Sequence, residues 1–111
     1  MNNQINQTTI ETGTSRLRAS KEVYEAEQFD QGFNAGRNWA TNDAEYGQLK
    51  AVSNIFLSNL VEYSPGLLLN EIFDGEPLSS EDYENVFGVT DPSNEFVGGF
   101  AEGAYSIYKQ V

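Results

Sequence analysis

Histidine and cysteine are both missing from this chain, and their absence removes much of enzyme chemistry. Without cysteine there are no disulfides, thiolate metal sites, iron–sulfur clusters or thiol nucleophiles. Without histidine, neither the commonest general base nor the commonest zinc ligand is present. Any reaction would rest on carboxylates, hydroxyls, phenols and lysines. Long apolar runs are missing too. The N-terminal stretch MNNQINQTTIETGTSRLRAS lacks the continuous apolar core of a secretory signal, and nothing later approaches the roughly 20 apolar residues of a membrane span. These absences predict a cytoplasmic protein that is not an enzyme and holds neither cofactor nor metal.

Basic residues are few and unevenly placed. Six lysines and arginines stand against 17 acids, a formal net charge of -11. After Lys50 the next basic residue is Lys109, and ten acids lie between them: Glu62, Glu71, Asp74, Glu76, Glu81, Asp82, Glu84, Asp91, Glu95 and Glu102. Residues 1–21 run the other way, with Arg16, Arg18 and Lys21 against Glu11. A field of this sign repels nucleic acid and anionic membrane and attracts basic proteins. Direct nucleic-acid or membrane binding is therefore not expected.

Period-two alternation is absent, so strands are not expected, and the spacing of apolar residues is helical. A length of 111 residues is that of one domain. Residues 1–18, rich in Asn, Gln, Thr and Ser without apolar periodicity, read as a flexible arm, and residues 19–111 as a single helical domain. Val23, Ala26, Phe29, Phe33, Gly36 and Ala40 mark one face of a first helix over about 20–41 with Ser20 as cap. Leu49, Val52, Phe56, Leu60 and Tyr63 mark a second over about 43–62, stopped by YSPG. LLLNEIF predicts a short third helix over 67–73. Ser79 with Asp82 predicts a capped fourth, ended by Gly88. Asp91 followed by Pro92 predicts the start of a last helix running almost to Val111. The expected class is all-α, a small bundle of about five helices.

One phrase occurs twice in that plan. Phe29, Gly32, Phe33 and Gly36 form F-x-x-G-F-x-x-G, and Phe96, Gly99, Phe100 and Gly103 repeat it 67 residues later. Four glycines inside helices give up roughly 3–4 kcal/mol of helix propensity, so close packing must offset them. Glycines four apart lie on one helix face and admit a neighbouring backbone or ring. The expectation is that the first and last helices pack through these faces, each placing phenylalanine into the other's notch. The alternative is a homodimer contact, in a self-associating adaptor whose acids serve only solubility. Asp30, Asn34, Arg37 and Asn38 in the first copy exclude the membrane form of such pairing.

The acids form no recognisable metal motif. DGE at 74–76, EDYE at 81–84 and the set Glu22, Glu25 and Asp30 all lack the alternating ligands and terminal glutamate of a calcium loop. Neither glycine phrase is a phosphate-binding loop. What remains is charge display. Acids three or four apart on a helix stand about 5–6 Å from one another, on the scale of nucleic-acid charge spacing. Glu81, Asp82, Glu84, Asp91 and Glu95, aided by Glu71, Asp74 and Glu76, form the expected partner-binding face, with Tyr83 as its aromatic member. The expected partner is a basic, nucleic-acid-handling protein that this face inhibits or regulates by mimicry of DNA or RNA charge. In size, charge and want of catalytic residues the chain is similar to the small acidic inhibitors that phages and mobile elements use against host nucleases, a likeness of profile carried by no motif.

Overall fold

The computed structural model describes the backbone of residues 13–58, 64–73 and 79–111, and side chains from Ser20 onward. Those residues form five helices and no strand: α1 (Gly13–Asn42), α2 (Tyr46–Leu57), α3 (Pro65–Ile72), α4 (Ser80–Phe87) and α5 (Asn94–Tyr108). The all-α expectation holds, and the most extensive pairing is between α1 and α5.

Local chemistry sets most helix ends. Ser64 caps α3 by accepting from Leu67 N at 3.2 Å, with Pro65 in the first turn where its missing N–H costs nothing. The SPG sequence therefore opens α3; α2 has already ended at Leu57 with Ser58 as its C-cap, short of the expected 62, and Leu60 and Tyr63 lie outside the described residues. Ser79 and Asp82 form the expected reciprocal box, with Ser79 N donating to Asp82 Oδ2 at 3.1 Å and Asp82 N to Ser79 Oγ at 3.3 Å. Gly88, at φ 82°, ends α4 in the left-handed conformation that glycine adopts without strain. α2 begins later than expected, with Glu45 N donating to the Gln48 side chain at 3.0 Å.

Two other starts differ from the expectation. α1 is already helical at Gly13, so Ser20 lies inside the helix and is not its cap. Arg16, Leu17, Arg18 and Ala19 are all good helix formers, and nothing in that stretch breaks the turn. The remainder of the expected arm, residues 1–12, lies outside the described residues. At α5, the start lies two residues later than the Asp91–Pro92 pair suggested, with Ser93 as the cap. Its hydroxyl accepts from Phe96 N at 3.1 Å and donates to Gln28 Oε1 of α1 at 3.0 Å. That second bond ties the start of α5 to the middle of α1.

The repeated phrase forms the α1–α5 contact, but its geometry corrects the expected ring-in-notch arrangement. A Cβ on Gly32 would collide with the carbonyl of Phe96, and one on Gly36 with that of Phe100. Conversely, Gly99 faces the carbonyl of Phe29, and Gly103 that of Phe33. The partner positions rise together along both helices, so α1 and α5 run parallel, and the two phrases face each other as near-symmetric halves. It is the backbone carbonyls of the phenylalanines, and not their rings, that occupy the notches. All four glycines are buried.

The rings divide unequally. Phe96 and Phe100 enter the core, where Phe87 of α4 meets them edge-on at centroid distances of 6.2 and 5.0 Å, and Trp39 lies 5.4 Å from Phe100. Their counterparts Phe29 and Phe33 stay half-buried. Val52, Leu49 and Ile55 of α2 and Leu68, Leu69 and Ile72 of α3 complete the core. α1 runs on beyond the first residue of α5, leaving Val23 and Tyr24 exposed on the overhang.

Candidate functional site

The acids expected to meet a partner fall into two groups once the helices are placed. Glu81 and Asp82 lie in the first turn of α4, and Glu95 in that of α5, where carboxylates favour the positive helix end. Asp82 is further engaged by its cap bond to Ser79, and it and Glu95 are half-buried. Tyr83 is not a free surface aromatic: it is half-buried and packs edge-on against Phe87 at 6.2 Å. Asp74 and Glu76 lie outside the described residues. Glu71 on α3, Glu84 on α4 and Asp91 in the link before α5 are exposed and take no part in a helix first turn.

Apart from Ser80 in the first turn, the exposed residues of α4 and the Gly88 that ends it make a stripe. Glu81, Glu84, Asn85 and Gly88 are all exposed and recur at steps of three, four and seven, one side of the helix. The opposite side carries buried Val86 and Phe87. α4 contacts both α1 and α3, so Glu71 belongs to a neighbouring element of the same region.

The stripe leads into a cleft of about 110 Å³ between α1 and α4, lined by Ala35, Asn38, Trp39, Asp43, Asn85, Val86, Phe87 and Gly88. Trp39 and Phe87 bound it from the core side, 4% and 2% exposed respectively. Asn38, Asp43 and Asn85 are exposed polar members. The cleft sits where two helices end. Trp39 O accepts from both Asp43 N and Ala44 N at 2.9 Å as α1 closes, and Gly88 N donates to Glu84 O at 2.9 Å as α4 closes. None of the lining residues was expected at a binding site: Asn38 and Gly88 were read from the sequence only for helix polarity and helix ending. Asparagine, alanine and glycine carry no distinctive signal, and the cleft exists only because two helix ends meet.

The packing phrase falls elsewhere, as structural contact between α1 and α5. Among the described residues, no group of three or more acids is placed to hold a metal ion, and no helix is long and apolar enough to cross a membrane. No protein-family model matches the chain, and neither a curated protein nor a solved structure is significantly similar to it.

Proposed function

We propose that this is a non-enzymatic acidic binding protein that occupies the nucleic-acid-binding surface of a basic partner, presenting carboxylates in place of phosphates. The observation that carries this reading is the exposed Glu81–Glu84 stripe on α4, set in a stretch with no basic residue between Lys50 and Lys109. Exposed carboxylates one helical turn apart offer a repeated negative charge to a lysine- or arginine-lined groove. Such a surface speeds association and gives binding that weakens steeply with salt. Self-association through the glycine faces has no comparable support, because those faces are filled within the chain by α1 and α5.

The test is affinity capture from the source cell's lysate at low and high salt, with duplex DNA as competitor. The reading expects a basic nucleic-acid-binding protein that is released by salt and displaced by DNA. With that partner purified, Glu81→Lys combined with Glu84→Lys weakens binding at least about tenfold while helical content is unchanged. Asp82 is left intact because it caps α4. Binding that is indifferent to salt, DNA and the double reversal overturns the reading.

A further inference from the structure

The cleft between α1 and α4 has the features of a cation site, and three independent observations converge on it. First, the C-terminal turns of two helices face it: Asn38 and Trp39 with the following Asp43 from α1, and Asn85, Val86 and Phe87 with the following Gly88 from α4. Each helix C-terminus carries about half a negative charge on carbonyls beyond the last intrahelical bond. Cations commonly neutralise such ends, yet neither last turn contains a basic residue. Second, the lining adds the formal charge of Asp43 and the amides of Asn38 and Asn85. Asn38 Oδ1 already accepts from Asn42 Nδ2 at 2.6 Å, which fixes that side chain at the rim. Third, the remainder of the wall is apolar or aromatic, formed by Ala35, Trp39, Val86 and Phe87.

That combination selects among cations. A small metal ion needs oxygen ligands all round and gains nothing from an indole and three further apolar side chains. A lysine ammonium is compact and strongly hydrated, and entering a half-apolar cleft strips that hydration. A guanidinium is planar, more weakly hydrated, and stacks against aromatic and apolar surface while its N–H groups reach carboxylate and carbonyl oxygens. The cleft, of about 110 Å³, has room for the end of one side chain.

We infer that the cleft receives one arginine side chain of the basic partner, held by Asp43 and the open carbonyls of the α4 terminus against Trp39. This rests on the charge-mimicry reading and sharpens it: the Glu81–Glu84 stripe draws a basic surface to α4, and the cleft anchors a single residue of it.

Trp39 is the only tryptophan, so its emission reports on the cleft directly. The experiment titrates the full chain at low salt with a hexa-arginine peptide, following Trp39 fluorescence together with the anisotropy of a labelled copy of the peptide. Hexalysine and the neutral isostere hexacitrulline are the controls. The inference expects a saturable change in Trp39 emission with hexa-arginine, a weaker one with hexalysine and none with hexacitrulline. Asp43→Asn, an exposed site, weakens hexa-arginine binding about tenfold, whereas Glu22→Gln, the same charge change at an exposed position several turns back along α1, weakens it less than about twofold. Circular dichroism of both variants confirms that the fold is kept.

Binding seen by anisotropy with Trp39 emission unmoved, or with the two variants weakened alike, overturns the cleft and leaves the charge reading standing. An equal Trp39 response to hexalysine overturns the assignment to a guanidinium. No binding of either cationic peptide at low salt overturns the charge reading and the inference with it.

Discussion

The carbonyl of Phe100 occupies the space that a Cβ on Gly36 would need, with the carbonyl carbon only 2.8 Å from that position. The obstacle is backbone on a neighbouring helix, so it cannot swing aside as a side chain would. Gly36→Ala therefore loses more by forcing α1 and α5 apart than the ~1 kcal/mol it gains in helix propensity. The expected net change is a destabilisation of roughly 1–3 kcal/mol by chemical denaturation. Gly47→Ala supplies the contrast. It lies in α2 with nothing within 4 Å of an added Cβ, and should stabilise by about 0.5–1 kcal/mol. A loss at both sites, or at neither, contradicts the packing described.

Ser53 is fully buried on α2, and its hydroxyl has no hydrogen-bond partner. A buried donor left unmade costs about 1–3 kcal/mol, and alanine removes it while leaving nearly the same volume. Ser53→Ala should therefore raise stability by about 1 kcal/mol. A lower denaturation midpoint would mean that the hydroxyl is bonded in solution.

Ser79 and Glu84 separate capping from charge display on α4. Ser79→Ala breaks the reciprocal box with Asp82 and should cost about 1 kcal/mol. Glu84→Ala, at an exposed interior position, should change stability by no more than about 0.5 kcal/mol. The functional expectation is the reverse: Glu84 matters to partner binding, and Ser79 matters only through the fold. Equal loss of binding at matched stability would refute that division.

Tyr108 titrates above its ordinary 10.0, first because Tyr46 hydrogen-bonds with it, then through desolvation and the neighbouring phenolate charge. The fold thus favours the neutral phenol. Its contribution to stability is fully present below pH 10.0 and is lost as pH rises through the raised value. Tyr46→Phe should move one tyrosine in a 295 nm absorbance titration back toward the ordinary range. An unchanged titration would show that the two phenols do not meet in solution.

The legibility of this fold in its sequence varies with how local each determinant is. α4 was fully readable because both its ends are written in four residues, Ser79 with Asp82 and Phe87 with Gly88. The pairing of α1 with α5 was readable from the repeated phrase, because glycine inside a helix demands an explanation. Its detail was not: periodicity does not say whether two helices run parallel, so rings were expected where carbonyls sit. At α5, the DPSN sequence holds two good caps, and the bond from Ser93 to Gln28 on a distant helix is what distinguishes them. The acids show the same limit. Their charge is visible in the sequence, whereas the engagement of Asp82 in a cap and the exposure of Glu84 emerge only when α4 has a direction.

The parallel union of α1 with α5 also carries a kinetic consequence. Fifty-one residues lie between Asn42 and Asn94, so the largest contact in the molecule closes a long loop. Helical proteins usually fold fast because their contacts are near in sequence, and this topology gives up part of that advantage. During synthesis α1 leaves the ribosome well before its partner exists, with Gly32 and Gly36 open to water and the backbone between them accessible. Slow closure, and a period in which nascent α1 is available to chaperones or to another copy's glycine face, follow from the order in which the two phrases are made.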